Sequence, residues 1–107
     1  MTKQFRTVPQ VRQPADYVNA LSLVAGVAER VPIPQGLTFV IFSCTSNYYA
    51  KVGDSSVTAA VPSDITDGTA SELNPLSYNL NGNAGWTHIS VVSASNSIAT
   101  MSFYEVL

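Results

Sequence analysis

Residues 37–44, LTFVIFSC, are almost wholly apolar and lie between two turn signals, Pro34-Gln35-Gly36 before them and Thr45-Ser46-Asn47 after. On an extended chain Phe39 and Ile41 point one way and Val40, Phe42 and Cys44 the other. Both faces therefore call for cover, which predicts a strand inside a packed structure. The return segment, residues 48–52, alternates: Tyr48, Ala50 and Val52 share one face, Tyr49 and Lys51 the other. Together the two segments read as a hairpin with a dry and a wetter side.

The flanking pattern repeats this theme. Residues 17–24 and 27–32 read as two strands meeting at Ala25-Gly26, where the glycine and the β-branched content outweigh a helical spacing of Val18, Leu21 and Ala25. A short strand is expected near residues 57–61. A long loop follows, with Asp64, Asp67, Glu72 and the Asp67-Gly68 turn signal; loops of this length act on something or lie on something. Further strands are expected at 76–80, 86–93 and 97–105. Ala99, Met101 and Phe103 share a face of the last one, and Asn-Gly and Gly-rich links fit hairpins between them. About eight short strands at this spacing predict an all-β protein, a single β-sandwich, with a jelly roll first and an Ig-like sandwich second.

Residues 1–15 read differently, as an extended N-terminal arm on a domain of residues 16–107. The arm holds Lys3, Arg6 and Arg12 without an acid, two prolines that oppose helix, and Phe5, Val8 and Val11 as apolar anchors. It reads either as a frayed terminus or as an arm that docks on a neighbouring subunit, its basic residues meeting an acidic surface.

Composition narrows the function classes. The 107 residues make one modest core, and the net charge of −2 gives no field favouring nucleic acid or an anionic membrane. Only 11% of residues are charged, against about 25% in ordinary soluble domains. Such a surface suits being covered by neighbours. The apolar run at residues 17–28 is interrupted by Asn19 and Ser22, follows Pro9, Pro14 and Asp16, and is too short to span a bilayer, so neither leader nor membrane segment is expected. No Asn-x-Ser/Thr sequon occurs, and production in a cytosol is expected.

Candidate chemistry is thin. Cys44 is single and reads as a small buried hydrophobe. His88 is the one histidine and lacks a nucleophile setting, so a structural or interface role is expected and no catalysis. Asp64, Asp67 and Glu72 could offer oxygens to a weak calcium site, but their spacing is not that of an EF-hand, and no cofactor or metal is expected. Tyr48, Tyr49, Tyr78, Trp86 and Tyr104 could form a stacking platform for sugar; for bases the interleaved cations are missing. Core and subunit-interface use is the expectation, since Tyr and Trp are enriched at interfaces.

Several stretches carry a family resemblance: Val31-Pro-Ile-Pro-Gln-Gly36, the strand Phe39-Val-Ile-Phe-Ser43, the return Tyr48-Tyr-Ala-Lys-Val-Gly53, the acidic loop Asp64 to Pro75, and Ser102-Phe-Tyr104. Over residues 31–104 the chain resembles capsid cementing or decoration proteins of short-tailed bacteriophages. The resemblance implies a small jelly-roll-like virion protein on the outer capsid surface, a homo-oligomer of two or three copies clamping neighbouring major capsid subunits. The contacts expected on that reading are Phe5, Arg6, Arg12, Tyr49, Lys51, Asp64, Asp67, Glu72 and Trp86. A carbohydrate-binding, neck or fibre component of the virion is the alternative.

Overall fold

The computed structural model describes residues 14–81 and 83–105. The arm residues 1–13, with Phe5, Arg6 and Arg12, lie outside the described residues. Eight strands and no helix are described: β1 (Tyr17–Leu23), β2 (Glu29–Pro32), β3 (Phe39–Cys44), β4 (Tyr49–Gly53), β5 (Glu72–Leu73), β6 (Ser77–Asn79), β7 (His88–Val92) and β8 (Ser97–Tyr104). They form two four-stranded antiparallel sheets, a β-sandwich. The front sheet runs β1-β8-β3-β6 and the back sheet β2-β7-β4-β5.

The apolar alternation builds the core. Val40 and Phe42 of β3, and Ala99, Met101 and Phe103 of β8, point inward from the front sheet; Ala50, Ile89 and Val91 meet them from the back. Val40, Ile89, Val91, Met101 and Phe103 have no exposed surface, so each stabilises the fold by roughly 1.5–3 kcal/mol of side-chain burial. The Phe42 ring packs 5.2 Å from Tyr78 of its own sheet and 6.0 Å from Tyr48 in the connection between the sheets.

Two expected elements differ. The segment of residues 37–52 is not a hairpin: β3 belongs to the front sheet and β4 to the back, with Thr45–Tyr48 arching between them. β3 is flanked by β8 and β6, and β4 by β7 and β5, so neither has a free side for the other. Likewise β7 and β8 lie in different sheets, and among consecutive described strands only β4 and β5 pair with each other.

The second difference concerns residues 57–61, which are irregular. Their backbone groups bond to side chains instead of a ladder: the Ala59 amide to Ser90 Oγ at 2.8 Å, the Ala60 amide to Ser71 Oγ at 3.1 Å, and the Val57 carbonyl to Arg30 Nε at 2.7 Å. The pairing with β4 falls instead to β5, two residues the pattern did not mark.

Candidate functional site

Three surfaces bear on function. The first is the outer face of the back sheet, where Tyr49 and Lys51 project from β4 and Ser90 and Val92 from β7. The β4–β5 loop lies across this face. Gly53 lets it fold back, since a Cβ there would come within 3.1 Å of Val57. Arg30 grips Val57 and Thr58, Ser90 holds Ala59, and Lys51 Nζ donates to the Thr69 carbonyl at 2.8 Å. Ser90 is consequently buried although it faces away from the core, and Val92 on the same face is buried as well. Lys51, expected as a partner contact, ties down the protein's own loop.

The loop acids serve turns. Asp54 accepts from the Ser56 hydroxyl at 2.6 Å and amide at 2.9 Å; Asp67 accepts from the Thr69 hydroxyl at 2.7 Å and amide at 3.1 Å. These bonds, the hydroxyl first, hold both carboxyls below their ordinary ionisation range. Asp64 and Asp67 line one open hollow of about 360 Å³ with Ile65, Thr66 and Thr69. Glu72 is elsewhere, on β5. Among the described residues no group of three His, Cys, Asp or Glu side chains is placed to hold a metal ion.

A second surface is a cleft of about 320 Å³ at the mouth between the sheets, which brings Lys51, Glu72 and Trp86 together with Tyr78 and Asn79. Its floor is Ala50 and Val52. Tyr78 of the front sheet donates to Glu72 Oε1 of the back sheet at 2.7 Å. Burial, and then the Glu72 carboxylate, push the Tyr78 phenol well above its ordinary ionisation range. Tyr48 is buried among the core, bonded to the Pro75 carbonyl, and burial pushes it up to about 12.

The five aromatics of the proposed platform do not share a face. Tyr48 is internal, Tyr78 and Trp86 line the cleft, and Tyr49 and Tyr104 lie on the outer faces of opposite sheets. His88 and Cys44 sit in different sheets; His88 Nδ1 shares a 2.8 Å hydrogen bond with Thr87, and the Cys44 thiol meets Ser97 Oγ at 3.7 Å.

The third surface is the outer face of the front sheet, which the sequence reading did not pick out. None of the residues in β1, β8, β3 and β6 is charged. Register places Val18, Ser102, Ile41 and Ser77 in one row across all four strands, with Ala20, Thr100 and Ser43 in the next and Tyr104, Phe39 and Asn79 beyond. Val18 and Ile98 are more than half exposed. These strands are scattered through the chain, so only their pairing assembles the face.

Comparison with models of protein families, with curated proteins and with solved structures finds no match for this chain.

Proposed function

We propose that this chain is a capsid cementing protein: a non-catalytic virion component that binds the outer surface of a tailed-phage head as a homo-oligomer and clamps neighbouring major capsid subunits. The observation that carries the reading is the uncharged outer face of the front sheet. Covering it with a shell strips water from hydroxyls and apolar groups but from no ion, the costliest group to bury. Bound copies then stabilise the assembled shell by mass action.

The strand order supports a jelly roll. Successive strands alternate between the sheets except at β4 and β5, which pair within one sheet, β1-β8-β3-β6 facing β2-β7-β4-β5, as eight strands do when two Greek keys are rolled into a sandwich. An Ig-like sandwich keeps more consecutive strands in one sheet and fits this order less well.

Charge supports a clamping role for the arm. Residues 14–105 contain all seven acids and only two bases, Arg30 and Lys51, a net charge of −5, whereas residues 1–13 carry +3. Phe5, Arg6 and Arg12 would anchor that segment on a neighbouring acidic surface, with Tyr49, Trp86, the loop acids Asp64 and Asp67, and Glu72 of β5 as further contacts.

Quantitative mass spectrometry of purified particles tests this reading. Copies comparable to the major shell protein are expected; absence from the particle overturns the proposal, and a handful of copies moves the chain to a neck or fibre. Adding charge at exposed front-face positions, Ser43→Lys with Ile98→Lys, should lower binding to heads lacking the protein at least tenfold without loss of fold.

A further inference from the structure

A sandwich of this kind has four open sheet edges, and three of them are guarded. β5 is two residues long and includes Glu72, β6 is three residues long, and β2 combines four residues with Glu29, Arg30 and Pro32. Shortness, charge and proline are the devices by which proteins stop an edge from pairing with another chain. The fourth edge, β1, has none of them. It runs for seven residues, Tyr17-Val-Asn-Ala-Leu-Ser-Leu23, with no charge and no proline, pairs with β8 on one side, and has no strand on the other among the described residues.

We propose that β1 is a dimer edge, and that its occupant is β1 of a second copy of this chain, running antiparallel about a two-fold axis. The segment is self-complementary: with Ala20 facing Ala20 of the partner subunit, Val18 meets Ser22 of the partner subunit and Tyr17 meets Leu23 of the partner subunit. A contact of this kind is isologous and closes at two copies. It joins the front sheets into one of eight strands, within the range that open sheets tolerate, and backbone hydrogen bonds supply its affinity.

Electrostatics selects the same place. Residues 14–105 carry a net charge of −5 and the full chain −2, so approaches that oppose two acidic bodies away from the basic residues 1–13 are disfavoured. The front sheet has no charged strand residue, and its β1 edge lets two copies meet without opposing like charges along the strands. This inference goes beyond the head-binding reading and does not need it, because it concerns the purified protein without particles.

Sedimentation equilibrium of the full chain over a wide concentration range tests it. The expected mass is that of a dimer. Val18→Lys with Ala20→Lys, both at exposed outward positions, should weaken association at least tenfold and leave the thermal midpoint of dilute, dissociated protein in place, whereas Ser77→Lys on the far edge strand β6 should leave the dimer intact. Hydrogen exchange of the unmodified protein gives a second readout: amides of residues 17–23 should gain protection as concentration rises. A monomer at every concentration, a trimer, or a dimer that survives both lysines overturns the proposal. So does a chain that dimerises only after residues 1–13 are removed, since its own terminus would then cover β1.

Discussion

The Ser90 hydroxyl accepts the Ala59 amide at 2.8 Å across the outer face of the back sheet, and both residues are buried. A serine facing outward from a strand ordinarily meets water. Here it meets a loop, and it gives that loop's backbone the partner that a ladder would otherwise supply. Ser90→Ala leaves the Ala59 N–H buried without its acceptor, which should cost roughly 1–3 kcal/mol. Urea unfolding measures the loss, and faster hydrogen exchange at residues 57–60 localises it.

Asn74 ties the end of β5 to the start of β4. Its amide donates to the Tyr48 carbonyl at 2.8 Å, its side-chain oxygen accepts the Tyr48 amide at 3.0 Å, and its Nδ2 donates to Asn47 Oδ1 at 3.0 Å. It also holds φ at 49°, a left-handed conformation that asparagine tolerates better than most residues. Asn74→Gly loses the two side-chain bonds but keeps the backbone at ease; Asn74→Ala loses them and adds strain. Alanine should therefore be the worse variant by about 1 kcal/mol, read as the difference between their unfolding midpoints in urea.

The pH dependence has two limbs. Asp54 and Asp67 are held below their ordinary value of 3.8, so their contribution is complete above that pH and fades as pH falls through the lower folded value. Asp54→Asn with Asp67→Asn should flatten the acid limb of the thermal midpoint below about pH 4. Tyr48 and Tyr78 act in the opposite sense, because folding raises them. Their contribution is complete below the ordinary value of 10 and is lost as pH rises, for Tyr48 through about 12. Absorbance titration should show a delayed tyrosinate fraction that shrinks in Tyr78→Phe.

Much of the sandwich is legible in the sequence because inward and outward positions alternate: Ala99, Met101 and Phe103 can be assigned to one face without coordinates, and they line the core. Alternation says which face a residue takes, not which strand lies beside it. The run through Cys44 and Tyr48 therefore reads equally well as a hairpin or as an arch between sheets, and it is an arch. Residues 57–61 have strand composition, yet the Val57 carbonyl and the Ala59 and Ala60 amides bond the side chains of Arg30, Ser90 and Ser71, which no local pattern encodes. Of the expected contact residues, Lys51, Glu72 and Trp86 do share a cleft, because β4, β5 and the approach to β7 converge there. The uncharged front face was hidden for the opposite reason, its rows being drawn from strands at both ends of the chain.

Arg30 and Lys51, the two bases among residues 14–105, both bind loop carbonyls, Val57 at 2.7 Å and Thr69 at 2.8 Å. Both bonds are exposed, so each contributes modestly on its own, although a charged donor on a carbonyl is stronger than a neutral one. The two pins hold opposite ends of one segment, so releasing either leaves the other to limit its excursion. Arg30→Ala and Lys51→Ala singly should raise protease cleavage within residues 54–71 modestly. The double variant should raise it by more than the product of the two single effects, a coupling expected of groups sharing one mobile element. Mass-mapped limited proteolysis gives the cleavage rates; independent, purely multiplicative effects would show that the loop is held mainly by Ser90 and its own turns.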